Sequence, residues 1–388
     1  MIGEVVELTV GPIAPGGHCI ARLDGRVVFV RHTLPGERVR ARVTGEGGGG
    51  RYLRADAIEI LDRSLDRVAP PCRFAGECGG CDWQHASLEA QRRGKADVIR
   101  QLLSRQVDAA LLDSLVVKSV PGDSEGLGWR TRVRFAVDAR GRAGLRAARS
   151  HDVVPIDECA IAHPGINALG VTRREWSGVS EVLAIAPSAG AGIARPDPIR
   201  GRGRVTERAA DRTWKVDLTG FWQVHPGAAD TLVDVVRALA DVREGDRVLD
   251  LYSGVGLFAA ALAPLVGDTG TVDAVESDAG AHTNAKRNLH ELTQARLHHA
   301  DVLRWLGAGT RSADVVILDP PRTGAGTKVA EAITDLAPRT IVYVACEPAP
   351  LARDLAAFAE RGWRAQELVA LDMFPMTHHV ECVVRITR

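Results

Sequence analysis

The sequence predicts an α/β protein in which a mostly parallel sheet, covered on both faces, follows a small β-barrel and a central α+β region. Three observations lead there. Beyond Phe221, short apolar strands alternate with helices, as in a sheet buried on both sides. Residues 1–60 read as short alternating strands broken by Gly and Pro, with a hairpin signal at Asp24-Gly25. Residues 61–220 combine a cysteine cluster, a helical stretch and further strands. The expected divisions of the 388 residues are 1–60, 61–220 and 221–388, and that length suits two or three cores.

In order, the barrel strands are EVVELTVG, HCIARLDG, RVVFVRH, ERVRARVTG and YLRADAIEIL. In the central region SLEAQRRGKADVIRQLLSRQ carries apolar residues at helical spacing, and PSAGAGIARPDP reads as a loop. In the last region TLVDVVRALADV, LFAAALAPL, AGAHTNAKRNLHEL and APLARDLAAFAERG read as helices. RVLDLY, TVDAVES, ARLHHAD, DVVILDPP, TIVYVAC and HVECVVRIT read as strands.

There is no basic-then-apolar leader, and no apolar run approaches the roughly 18 residues that a spanning helix needs. A cytoplasmic protein without membrane contact is expected, so the cysteines are read as ligands, nucleophiles or core residues. Net charge is zero but polarised: residues 1–220 carry 33 Lys and Arg against 27 Asp and Glu, and residues 221–388 carry 16 against 22. Between Trp129 and Ser150 lie seven arginines and one acid, Asp138. Arg130, Arg132 and Arg134 alternate, so in a strand they share a face that could grip phosphates, or simply face solvent.

The stretch LDLYSGVGLFAAALA places Gly254 and Gly256 between a strand and a helix, where a ligand can approach backbone amides at the positive helix end. Glu276 ends the next strand and suits ribose hydroxyls; Asp301 ends a third strand-like segment and suits an adenine amino group, with helix capping as its plainer role. These features fit a dinucleotide as well as a methyl donor. Asp319 in DPPRTGAG and Cys346 in VYVACEPAP end later strands on the same rim and favour methyl transfer. On its own, Cys346 reads as a small buried residue or as a nucleophile.

Seven motifs in order give the chain a strong likeness: the N-terminal barrel, CRFAGECGGC with Cys159 in DECAI, GFWQVHPG, LDLYSGVG, DPPRTG, YVACEPAPLARD and FPMTHHVECVV. Together they resemble the RNA uracil-5-methyltransferase family, bacterial enzymes that make 5-methyluridine in ribosomal or transfer RNA. The resemblance implies a TRAM (OB-like) barrel, a central iron-sulfur domain and a class I S-adenosylmethionine-dependent (Rossmann-like) catalytic domain. It places Cys346 at the family's nucleophile, which adds to carbon 6 of uracil, and Glu381 at its base, which removes the carbon 5 proton. Gln223, Tyr252, Glu276 and Asp319 fall on its cofactor-binding positions, Asp319 alternatively meeting the base; Asp301 joins them from its strand-end placement alone. Two residues depart from the pattern, since Ala345 and Glu347 stand where the family usually has Ser and Asn, and Glu347 is expected to raise the thiol pKa.

Cys72, Cys78 and Cys81 form C-x5-C-x2-C, and Cys159 follows after 77 intervening residues. This three-plus-one spacing favours an iron-sulfur cluster over tetrahedral zinc. The resemblance places a 4Fe-4S cluster on these four, read as a staple for RNA-binding elements, and leaves Cys19 and Cys382 as core residues. The target base must be flipped from its stack, with Trp83 and Trp129 as candidate stacking residues or packed core. Ribosomal RNA is the expected partner and transfer RNA the alternative, with a monomer as default. A non-catalytic RNA-binding or redox-sensing protein on the same fold is the reading from another class, motivated by Ala345 and Glu347.

Overall fold

The computed structural model describes residues 1–197, 203–309 and 312–388. The N-terminal barrel has strands Val5–Thr9, Ile13–Ala14, His18–Leu23, Arg26–Arg31, Arg38–Gly47 and Tyr52–Asp62. Alternate residues such as Val28, Val30, Val39, Ala41, Leu53 and Ala55 form its core, with Cys19 among them. Asp24 and Gly25 both take positive φ, 50° and 82°, as a tight hairpin turn matched to strand twist requires.

Eight strands form the large C-terminal sheet, in the order Ala295–His299, Thr271–Glu276, Arg247–Leu251, Val315–Leu318, Thr340–Ala345, Glu381–Thr387, Arg364–Asp372 and Val117–Ser119. The first five run parallel, and Glu381–Thr387 is antiparallel to both neighbours. Carboxyl ends of the parallel strands and the amino end of Glu381–Thr387 therefore share one rim, where α/β sheets bind ligands. The helices Ala228–Ala240, Leu257–Leu262, Ala279–Asn288 and Pro348–Glu360 appear where the periodicity placed them. Cys382 is fully buried in the sheet.

The core crosses the expected boundary at residue 220. Helix Leu88–Leu103, capped by Ser87, packs Ala96, Ile99 and Leu103 into the same core as Leu249, Val316 and Ile341. Val117–Ser119 adds the sheet's edge strand, pairing parallel with Ala370–Asp372. Hairpin Arg204–Ala209 and Arg212–Asp217 buries Trp214 and Val216 in the other core of the sheet. What lies between 61 and 220 thus divides into a separate five-stranded sheet, with Trp129, Phe135 and Ile161 in its core, and segments that cover the large C-terminal sheet. The stretch read as a loop at PSAGAGIARPDP holds a strand, Ile193–Pro196, paired with Val182–Ile185, while its final Pro198 lies outside the described residues.

A buried ion pair ties these pieces together. Lys95 Nζ lies 2.6 Å from Asp372 Oδ1, with side chains 0% and 1% exposed, and it also donates to the Phe374 carbonyl at 3.1 Å. Removing one partner strands the other charge in the core, which costs roughly 3–5 kcal/mol. Asp372→Ala is expected to lower the urea unfolding midpoint by that equivalent, whereas Arg40→Ala, which breaks an exposed barrel pair with Glu59, is expected to leave it nearly unchanged.

The alternating arginines are not a free phosphate-gripping face. Arg132 is largely buried, its guanidinium 3.3 Å from Glu207 Oε1 and donating to the Gly220 carbonyl, so it joins the hairpin to the central sheet. Arg134 meets Glu181 at 3.4 Å and Asp197 at 3.7 Å. Nearby acids occupy Arg132 and Arg134, while Arg130 donates to the Arg132 carbonyl. Trp83 and Trp129 are likewise core residues, 3% and 2% exposed; Trp83 donates to the Gly17 carbonyl and Trp129 stacks on His225. Among the described residues no helix is long and apolar enough to cross a membrane.

Candidate active site

The rim begins at the turn after strand Arg247–Leu251. Tyr252 takes a positive φ of 64°, costly for a residue with a bulky side chain, and the chain then turns through Gly254 and Gly256, at 56° and 94°. At Gly256 a side chain would collide with Leu289, whose Cδ1 would lie 2.7 Å from an added Cβ, so this position needs glycine for packing as well as for turning. Asp250, wholly buried, accepts from the Ala259 N–H at 2.8 Å and anchors the helix start. Burial pushes its carboxyl up to about 8 against that hydrogen bond, with the charges of Asp319 and Glu276 adding to the rise.

Glu276 ends its strand as expected and accepts from the Gly254 N–H at 2.9 Å and the Asp278 N–H at 2.6 Å. The acid and the glycine turn thus hold each other in place. Asp301 lies past the strand Ala295–His299 as the cap of helix Val302–Gly307, with Oδ1 accepting from the Arg304 N–H at 3.0 Å. Its charge still bears on Tyr252, whose phenol is pushed up to about 12, mainly by burial. Gln223 is half-buried in the connection before helix Ala228–Ala240, next to Val224, whose carbonyl accepts from both the N–H and the hydroxyl of Thr131.

Asp319 follows strand Val315–Leu318 directly, and burial raises its carboxyl to about 7. The loop beyond it is pinned from behind: Asp354 accepts from the Ala325 N–H at 2.7 Å and from the Tyr343 hydroxyl at 2.6 Å. Sequence reasoning missed this pair, although Asp354 lies in the quoted APLARDL helix.

Ala345 pairs opposite Cys382 in the antiparallel ladder. One step further out, the two chains bring Cys346 beside Glu381, on the face opposite to the Ala345 and Cys382 side chains. Cys346 is half-buried, and its thiol is pushed up to about 12, first by burial and then by the charges of Glu381, Asp319 and Glu347, with Arg322 opposing. Glu347 therefore raises the thiol as the sequence suggested, but burial is the larger cause. Glu381 is 3% exposed and its carboxyl sits well above the ordinary range, through burial and the charges of Asp319 and Glu347. A neutral thiol beside Glu381 and Asp319, both of raised proton affinity, is suited to moving protons on this rim. Phe221, which was not singled out, is 71% exposed two residues before Gln223; an apolar ring so presented is its only signal.

The four remaining candidates gather elsewhere. Cys72, Cys78, Cys81 and Cys159 line one cavity with Phe74, Leu145, Ile156 and Ile161. Burial raises the thiols of Cys78, Cys81 and Cys159 and the other thiols add to the rise, while hydrogen bonds oppose it in all three and the Arg130 charge opposes it at Cys78 and Cys159. The Gly80 N–H donates to Cys78 Sγ at 3.4 Å, and Asn167 brackets Cys159 by bonding both its N–H and its carbonyl. Among the described residues no group of three His, Cys, Asp or Glu side chains is arranged to hold a metal ion. The four thiols instead face a shared apolar space.

Comparison with known proteins bears on this arrangement. Residues 1–58 match the TRAM domain, and residues 208–388 match the family described as tRNA (Uracil-5-)-methyltransferase. An "Uncharacterized RNA methyltransferase" of Streptomyces avermitilis is 48% identical, covering 98% of both chains. The 23S rRNA (uracil(1939)-C(5))-methyltransferase RlmD of Halomonas elongata is 33% identical over 97% of this chain and 88% of its own. The crystal structure of Pyrococcus abyssi tRNA (uracil-54, C5)-methyltransferase in complex with S-adenosyl-L-homocysteine superposes with a TM-score of 0.75 at 23% identity, covering 98% of this chain and 99% of that one. Barrel, central sheet and large C-terminal sheet thus form a fold already seen in a solved structure.

Proposed function

Because the chain belongs to the RNA uracil-5-methyltransferase family, a family of S-adenosylmethionine-dependent enzymes, we propose that it forms 5-methyluridine in 23S ribosomal RNA through a covalent bond between Cys346 and carbon 6 of the target uracil. The observation that carries this reading is the pairing of Ala345 with Cys382, which sets a half-buried thiol beside a sealed carboxylate on the rim.

S-adenosylmethionine supplies an electrophilic methyl group, and Gln223, Tyr252, Glu276, Asp301 and Asp319 are the residues proposed to surround it or the base. Glu276 fixes the glycine turn that faces it, and the free oxygen of Asp301 remains available past the helix cap. Cys346 adds to carbon 6 as the thiolate, which makes carbon 5 electron-rich enough to take the methyl group, S-adenosylhomocysteine leaving with the electron pair of the broken sulfur–methyl bond. Glu381 then removes the carbon 5 proton, the carbon 5–carbon 6 double bond reforms, and the sulfur leaves with the bonding electron pair. Exposed Phe221 is suited to hold the flipped base by stacking.

We propose that Cys72, Cys78, Cys81 and Cys159, which line one apolar cavity without being drawn into a ligating arrangement, would hold a 4Fe-4S cluster, the chemistry of four thiols suiting it. Thiolates gathered in low dielectric repel one another, and cluster iron neutralises that charge. Asp82 and Trp83 N–H groups both donate to the Met376 carbonyl, so the segment carrying Cys81 braces the loop that leads to Glu381. Protein purified without oxygen is expected to contain about four irons per chain, and Cys81→Ser to lose them together with most thermal stability of the central region. Retention of full stability without iron would remove the cluster from the account.

A ribosomal target is favoured by the 33% likeness to the Halomonas enzyme over nearly the whole chain; transfer RNA is the alternative, raised by the family description for residues 208–388. Mapping 5-methyluridine in ribosomal and transfer RNA from a strain lacking the gene decides between them. A single ribosomal site should lose the modification, and a loss confined to transfer RNA would overturn the assignment.

A further inference from the structure

Glu347 places a carboxylate next to the proposed nucleophile, an unfavourable neighbour for a thiolate. It does not stand alone. Its Oε1 lies 3.0 Å from His379 Nδ1, and the side chains are 30% and 24% exposed, so the pair is partly shielded from solvent. The His379 ring is itself held: its centroid is 4.2 Å from that of His378 and 6.1 Å, edge-on, from that of Phe374. His378 Nδ1 in turn lies 2.7 Å from Asp82 Oδ2. The imidazole is thus packed by Phe374 and His378 of its own loop against the acid that adjoins Cys346, and Asp82, distant in sequence, ties that loop through His378.

We propose that His379 is a positioning residue that compensates Glu347, holding its carboxylate in a paired, outward geometry so that Cys346 can become a thiolate beside it. This rests on the assignment of Cys346 as nucleophile. Burial tends to raise the Glu347 carboxyl, but its hydrogen bond to His379 and the charges of His379, His378 and Arg322 outweigh that, and it sits below the ordinary range. Glu347 is thus an anion whose charge requires a partner. The groups facing the thiol are Glu381 from the antiparallel strand, Asp319 and Arg322 from the loop after Val315–Leu318, and Glu347 from its own segment. Of the four charged groups, Glu347 is the one that lies within hydrogen-bond distance of an imidazole among the described residues. Position 347 and position 379 are therefore expected to act as a unit: loss of His379 slows the thiol only while Glu347 carries its charge, and neutralising Glu347 removes the dependence on His379.

The test reads the thiol directly, without RNA. Iodoacetamide alkylation of Cys346, followed by mass spectrometry of its peptide across pH 7–9, is compared in wild type, His379→Asn, Glu347→Gln and the double variant. His379→Asn should alkylate on the order of tenfold more slowly at each pH, one unit of thiol pKa being a factor of ten. Glu347→Gln should alkylate at least as fast as wild type, and the double variant should return to the Glu347→Gln rate. A double variant as slow as His379→Asn would overturn the proposal, because a packing defect left by the lost imidazole would not be mended by neutralising Glu347. Wild-type 5-methyluridine formation, measured in the same preparations, separates the two claims: no product overturns the assigned function, while product with uncoupled variants overturns only the pairing of His379 with Glu347.

Discussion

Cys346→Ala is expected to lower 5-methyluridine formation by on the order of 10⁴-fold or more, with S-adenosylmethionine binding retained. The size follows from the role: without a nucleophile at carbon 6, carbon 5 of uracil stays too electron-poor to attack, and positioning alone recovers little. Binding survives because the thiol ends a different strand from Glu276 and the glycine turn. Cys346→Ser is expected to be nearly as inactive, since a hydroxyl ionises far less readily than a thiol in the same acidic surroundings. The thiol of the free enzyme, pushed up to about 12 by burial and by neighbouring carboxylates, is protonated at neutral pH. Its thiolate fraction therefore rises about tenfold per pH unit from 7 to 9, and its alkylation rate should follow. Product formation by Cys346→Ala within a factor of ten of wild type, in methyl-transfer assays, would contradict this.

Glu381→Ala is expected to show the opposite signature, because under the proposed mechanism it blocks the second half of the reaction. Addition and methylation proceed, but the carbon 5 proton stays, so a methylated protein-RNA adduct accumulates while free product falls by roughly 10²–10⁴-fold. Glu381 suits the task because burial and the charges of Asp319 and Glu347 raise its affinity for the proton it must accept. A denaturing gel with labelled methyl donor reads the outcome: label should travel with the protein in the variant and with RNA in the wild type. Equal release from both would assign the proton to another base, Asp319 being the nearest alternative on the rim.

Much of this architecture could be read locally. Strand-helix alternation after Phe221, the barrel's period-two pattern and the Asp24-Gly25 turn each depend on neighbouring residues, and the structure has all three. Most of what escaped depends on distant partners. Helix Thr327–Asp335 buries Val329, Ala330 and Ile333 at helical spacing, a local pattern that sequence reasoning passed over, whereas strand Arg364–Asp372 begins with a mostly exposed, polar stretch and shows no clean period. Val117–Ser119 is three residues long and becomes a strand only by pairing with Ala370–Asp372, some 250 positions later. Nor did charge alternation reveal that Arg132 is spent on Glu207. Within the site, strand ends were legible because chain direction places them, whereas the Lys95–Asp372 and His379–Glu347 pairs emerge only when the sheet closes.

Peptide mapping of the adduct formed by Glu381→Ala with uridine-containing RNA and S-adenosylmethionine tests the central claim most directly. After nuclease digestion, a methylated uridine nucleotide is expected on the peptide that contains Cys346 and on no other. Methylation of RNA with Cys346 unmodified throughout, or attachment at Cys382 or any cluster cysteine, would contradict the account.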